Sequence, residues 1–194
     1  MAIPPAPNPA PGRQDAATVA PVAANNYSGS SNKSTSTKKT ASTGGGAAPA
    51  GGSSYPEHAD IANALFSLLN QERAQNGLAA LGRSGQLNNS AHAHNVVMAN
   101  TGVFSHQVTS AGEPSLGARI SATGYQWTSA GENIAWGSYA SVSFADQLET
   151  EMYNETPPDD GHRLNILSTS FRNVGVDVIT DGSGKMWITF DFGS

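Results

Sequence analysis

The run VGVDVITDGSGKMWITFDF, residues 174–192, decides the architecture, because it holds two apolar alternations separated by a turn. Val174, Val176 and Val178 recur at every second residue, and so do Met186, Ile188, Phe190 and Phe192. A period of two places each set on one face of a strand. Asp181-Gly-Ser-Gly184 between them predicts a hairpin with a loop of about four residues.

Upstream of this pair the spacing is helical. Ile61, Leu65, Leu68 and Leu69 fall on one face, with Ser54 as the expected N-cap, Pro56 in the first turn and Asn76-Gly77 as the stop. A second helix is predicted from about Ser84 to Asn100, striped by Leu87, Ala91, His94 and Met98 and closed by Gly102. A short third helix spans 113–123, anchored by Leu116 and Ile120 and stopped at Gly124. Ser141 caps a fourth, in which Phe144, Leu148 and Met152 stand four residues apart. GENIAWG (131–137) is short and supplies a third strand or its entry. Helices first and a hairpin last predict an α+β domain in which helices cover a small antiparallel sheet.

Composition bounds the domain. Residues 1–54 are Pro, Ala, Ser, Thr, Gly, Asn and Lys with one aromatic, Tyr27, and only Ile3, Val19 and Val22 as larger aliphatics. That is too little apolar surface to offset the entropy of ordering, so 1–54 reads as a disordered tail or linker and 55–194 as the folded domain. Arg13, Lys33, Lys38 and Lys39 against Asp15 give the tail a net +3, so the total of −5 leaves −8 for residues 55–194. A domain this acidic is a poor phosphate binder, and no nucleic-acid partner is expected. Cysteine is absent, which excludes disulfides and thiolate chemistry. No apolar run approaches transmembrane length, and no signal peptide is visible at the N-terminus. A Pro/Ser/Thr/Gly tether nonetheless suits a protein working outside a cell or at its wall.

Five histidines carry most of the candidate chemistry. His58, at the start of a surface helix, reads as solvated; His92, off the stripe of the second helix, reads as exposed; His94, on that stripe, reads as a hydrogen-bonded core residue. His106 follows the anchors Val103-Phe104, and His162 opens HRLNIL after Pro157-Pro158, which restrict the approach of the chain. Both are candidate functional residues. Glu132 sits between glycines ahead of Ile134-Ala135-Trp136, where neither a solvated loop nor an apolar strand needs it. By strict alternation it shares a face with Ile134 and Trp136, while the Asn133 amide is placed to satisfy nearby backbone groups. On the fourth helix, Glu151 and Glu155 both fall near the Phe144 stripe, and the helical wheel does not choose between them. Two imidazoles and two carboxylates can bind Zn²⁺ or a similar ion, or form a metal-free network in which carboxylates orient imidazoles. The long spacing is unlike a compact metal motif, and no GxSxG nucleophile turn is present.

Taken together, FSH (104–106), GENIAWG (131–137), MYNE (152–155) and GHRLNIL (161–167) resemble, in order and spacing, the CAP superfamily. These are the SCP-domain proteins: cysteine-rich secretory proteins, antigens and pathogenesis-related proteins. LLNQERAQNGLAAL, AHAHNVVMA and the closing strands fit as well, so the resemblance spans 58–194 and is nearest to a cysteine-free bacterial branch. It implies a three-layer α-β-α sandwich with a cleft tetrad of His106, Glu132, Glu155 and His162, with Asn133 in the same cleft. It thereby favours Glu155 over Glu151. It also implies divalent-ion binding by His106 and His162, with zinc or another cation as the cofactor, and an extracellular or cell-envelope location. Met152 stands where the family commonly has an aromatic, and the loop from Thr156 to Gly161 is longer than in many bacterial members. Three functions remain open: a monomeric module binding an unidentified ligand, such as a lipid or cell-envelope component; a metal-assisted hydrolase of an extracellular peptide, ester or glycan with Glu132 or Glu155 as base; and a non-catalytic scaffold built on a buried tetrad.

Overall fold

The computed structural model describes residues 55–194; the expectations for 1–54, including the Ser54 cap, lie outside them. Helix α1 (Ala59–Gln75) leads to a two-residue strand β1 (Gly82–Arg83), then α2 (Gly85–Thr101), α3 (Leu116–Ala122) and strand β2 (Ala130–Gly137). Helices α4 (Val142–Tyr153) and α5 (Gly161–Ile166) follow, and β3 (Asn173–Thr180) and β4 (Met186–Gly193) close the chain. The strands form one sheet in the order β1-β3-β4-β2. β4 pairs antiparallel with both β3 and β2, whereas β1 runs parallel to the start of β3.

Strand alternation sorts the core into two layers. Val174, Val176, Val178, Ile188, Phe190 and Phe192 point to one face and pack with Ile61, Leu65 and Leu69 of α1 and Phe144 and Met152 of α4. Ile179 and Trp187 point to the other, where Met98 of α2 and Val108 cover them. Helices α1, α4 and α5 thus form one outer layer and α2 and α3 the opposite one, making the expected α-β-α sandwich. The stripe of α2 is wholly buried at Leu87, Ala91, His94 and Met98, with Ser84 Oγ accepting from Leu87 N and Gly102 in the left-handed conformation.

Several boundaries differ from the sequence reading. Helix α1 begins at Ala59 with His58 in the cap position, because Tyr55 to His58 run extended along the free edge of β3. There Thr180 N donates to Pro56 O and His58 N to Val178 O. The hairpin loop spans 181–185 rather than four residues, closed by Asp181 N donating to Lys185 O. β1 was not expected; two residues carry no readable period.

The wheel for α4 also needs correction. Its buried residues, Phe144, Ala145, Glu149 and Met152, centre about 80° beyond Phe144, because α1 as well as the sheet covers it. Glu151 is consequently exposed, with Gln147 donating to it, while Glu149 is 0 % exposed. Glu149 meets Glu72 of α1, also buried. Burial, reinforced by Glu72, pushes Glu149 well above the usual carboxylate range, and burial pushes Glu72 up to about 7 against the opposing pull of Glu149 and Arg163. Raised folded-state values mean that the folded domain holds more protons than the unfolded chain, so stability falls as pH rises from about 4.5 through 7. Glu149→Gln, which supplies a neutral donor of the same shape, is expected to stabilise the domain by about 1–3 kcal/mol at pH 8. The gain shrinks towards zero at pH 4.5, and denaturant melts at both values check it.

Candidate functional site

Strand β2 places the site because consecutive residues leave it on opposite faces. Ile134 joins the α2-side core with Met98 and Trp187, whereas Ala135 joins the other with Phe144. Glu132 therefore points beneath α2 and α3, beside Ile134 and Trp136 as alternation requires, and Asn133 points towards α5.

Glu132 is only 3 % exposed and fully engaged. Its Oε1 accepts from His106 Nδ1 at 2.8 Å, and its Oε2 pairs with the Arg119 guanidinium, whose Nη1 also reaches His106 O at 3.2 Å. Directly across the ladder lies Asp191 of β4, wholly buried on the same face. Burial, then the charge of Glu132, pushes Asp191 well above its ordinary value, and burial raises Glu132 against the pull of His94 and Arg119. Among the described residues Arg119 is the one permanent cation beside Glu113 and Glu132, and it also pulls the Asp191 carboxyl down against burial.

The loop carrying His106 is pinned from below. His94 Nδ1 is 2.6 Å from Glu113 Oε1, while Glu113 Oε2 accepts from Val108 N at 2.7 Å and Glu113 O from the Gln107 amide at 2.9 Å. His106 is pushed down to about 4, by burial first and then by the neighbouring imidazoles of His162 and His94. It is neutral at pH 7, its Nδ1–H donates to Glu132, and its Nε2 is a buried lone pair with no partner among the described residues.

His162 repeats the pattern from the other layer. Its Nδ1 is 2.6 Å from Glu155 Oε1, and Glu155 Oε2 accepts from the His162 backbone N–H at 3.0 Å. Glu155 stands beyond the end of α4, in the turn that brings the chain back to α5. Asn133 does not present its amide to the space between the histidines; Nδ2 donates to His162 O at 3.1 Å, and Oδ1 accepts from Asn165, which also donates to Glu132 O. The structure therefore brings His106 to Glu132 and His162 to Glu155, leaves Glu151 outside, and makes Asn133 a tie between β2 and α5.

The remaining histidines have structural partners. His94 is a hydrogen-bonded core residue, as its place on the stripe predicts. His92 is half-buried rather than exposed, with Asp177 at 3.2 Å raising its pKa through their hydrogen bond. His58 bonds Thr180 Oγ1 at 3.1 Å. Sequence reasoning passed over Glu113, Arg119, Asp191 and Asn165. Arg119 was legible as a charge next to Ile120 on the inner side of α3, and Asp191 as the acid on the second buried face of the 186–192 run.

Chemically, each imidazole has Nδ1 tied to a carboxylate and Nε2 left for a ligand, the arrangement that orients histidines towards a metal or an electrophile. Among the described residues no group of three or more His, Asp or Glu converges as a metal cage, so an ion here would have two protein ligands and open positions.

An α-β-α sandwich with paired His–Glu units on either side of one strand defines a CAP-type, or SCP, domain. The chain belongs to this cysteine-rich secretory protein family, whose model matches residues 66–192. It is 32% identical over 116 residues to the uncharacterised protein YkwD of Bacillus subtilis, covering 60% of this chain and 41% of that one. The chain thus spans less than half the length of that relative. An extracellular SCP-domain protein of Bacillus anthracis superposes with a TM-score of 0.56 at 26% identity, over 70% of this chain and 40% of that one. An outer surface protein of Borrelia burgdorferi shares the fold, with a TM-score of 0.60 at 14% identity over 73% of this chain and 98% of that one.

Proposed function

We propose that this is an extracellular or envelope-exposed binding module whose cleft offers the Nε2 atoms of His106 and His162 to a divalent cation such as zinc, and through it to a ligand. The observation that carries this reading is the matched pairing of each imidazole Nδ1 with a carboxylate, Glu132 for His106 and Glu155 for His162. Both carboxylates are already committed to orienting an imidazole, and Glu132 to Arg119 as well, which favours binding over a hydrolase that needs one of them as a free base. The SCP-domain relative from Bacillus anthracis, named an extracellular protein, supports the location. Among the described residues no helix is long and apolar enough to cross a membrane.

Calorimetric titration with zinc at pH 7.5 tests the site. Wild type is expected to show one saturable event that His106→Ala with His162→Ala abolishes; equal, negligible heats in both would overturn the metal reading. Glu155→Ala, which frees the His162 ring without removing a ligand, is expected to weaken zinc about 10–100-fold.

A further inference from the structure

We infer that the buried carboxyl pair Glu72–Glu149, between α1 and α4, is a proton-operated latch that sets whether Glu155 holds His162 in place. The inference rests on the binding reading above and adds a regulation of that same site.

Two acids meet where neither is solvated. Glu72 on α1 is 3 % exposed and Glu149 on α4 is 0 % exposed. Glu72 Oε2 and both oxygens of Glu149 have no hydrogen-bond donor among the described residues. Two carboxyls this close and this dry do not both ionise, so the packed pair keeps a proton between its oxygens. Few charges face the pair. Asp146 stands one turn before Glu149 on its own helix and adds to the repulsion, whereas Arg163 of α5 is the cation that draws on Glu72. Arg73, next to Glu72, is turned away and donates to Ala79 O, Ile166 O and Ser168 O. The strands line this layer with Val176, Val178, Ile188 and Phe190 and bring no charge to it among the described residues.

Of the two helices, α4 is the one free to shift. Helix α1 is fixed at both ends: His58 N donates to Val178 O at its start, and Arg73 ties its last turn to the carbonyls at the end of α5. Apart from the carboxyl pair, the hydrogen bonds that reach α4 from other elements among the described residues both end on Tyr153. Asn76 donates to its hydroxyl and Arg163 to its carbonyl. Two residues further on, Glu155 holds His162 at Nδ1 and at the backbone N–H. Arg163 joins seam and site: it follows His162 in the chain, lies 4.7 Å over the Tyr153 ring and is drawn to Glu72. A shift of α4 away from α1 therefore takes Glu155 off its imidazole.

The direction follows from where the proton goes. Separated, both carboxyls ionise in water near 4.5, while packing holds Glu72 up to about 7 and Glu149 well above its ordinary value. Between those values the closed seam retains a proton that the open seam releases, so opening is favoured about tenfold more for each pH unit. The latch is closed in acid and is released as pH rises through about 7.

Amide hydrogen exchange on the full chain, without metal, tests this. Between about pH 5.5 and 7.5, corrected for intrinsic exchange, protection at Leu148, Met152 and His162 is expected to fall about tenfold or more. At the upper pH these amides are expected to be less protected than those of α2, which shows that α4 opens without the rest of the domain. The His162 N–H is bonded to Glu155 Oε2 and so reports the site directly. Glu149→Gln, which supplies a neutral donor, is expected to lose most of the fall; Glu72→Gln serves if the first variant does not fold. A fall of the same size in the variants, or α4 and His162 amides protected as fully as α2, overturns the inference. Protection that falls at Leu148 and Met152 but holds at His162 overturns it as well, because seam and site are then uncoupled. Zinc is absent throughout, so the latch can fail while zinc still titrates to His106 and His162, and the reverse.

Discussion

Gly175→Ala is expected to remove about 3 kcal/mol or more of stability, or to prevent folding altogether. A Cβ at this position would lie 2.1 Å from Asn88 N, 2.2 Å from Leu87 C and 2.6 Å from Leu87 O, all of them backbone atoms of α2. The helix cannot slide away, because its start is bonded to the same strand. Ser84 N donates to Val174 O and Val176 N donates to the Asn88 side chain. The cost falls on packing between two rigid elements, so no rotamer change relieves it. Denaturant melts give the answer; a transition within about 2 °C of wild type would show that α2 is not seated on β3 at this distance.

Glu132→Ala is expected to cost about 3 kcal/mol without any metal present, because it removes the nearest carboxylate from a buried cation and leaves Arg119 with Glu113 at 3.6 Å. Arg119 is 5 % exposed and loses its nearest carboxylate, while His106 Nδ1 loses its acceptor. Glu132→Gln keeps the volume and one acceptor and is expected to cost less. Glu132→Gln combined with Arg119→Met is expected to recover only part of the loss, since Glu113 and Asp191 then have no permanent cation beside them. Melts in the presence of a chelator report this directly. If Glu132→Ala matches wild type, the carboxylate is not a structural partner of Arg119, and its conspicuous placement must be explained by ligand alone.

These two variants also separate what a chain pattern reveals from what it hides. Apolar period exposed the helix α2 to within a residue, because its stripe is continuous and both ends carry strong caps, Ser84 and Gly102. It exposed β3 and β4 equally well. It failed at β1, too short to have a period, and at α1, where a strand-like pairing with β3 took Tyr55 to His58 away from the helix. On α4 the wheel assumed that burial centres on Phe144, but two neighbours cover that helix, so Glu149 turned inward and Glu151 outward.

Legibility of the site divides along the same line. His106, Glu132 and His162 stand out locally, each a polar residue held by apolar anchors or glycines, and the family resemblance singled out Glu155. Their supporting residues did not stand out. Asp191 and Glu113 look like ordinary acids until the sheet sets Asp191 opposite Glu132 and the loop folds Glu113 onto His94. By itself, the amino-acid sequence determined which segments alternate, which turn, and which few polar residues sit where burial makes them costly, because those are nearest-neighbour properties. Only the tertiary structure decided which carboxylate orients which imidazole, which acids meet in the core, and which of them burial pushes above the usual carboxylate range. Each of these depends on distances between residues far apart in the chain and on how completely packing excludes water around them.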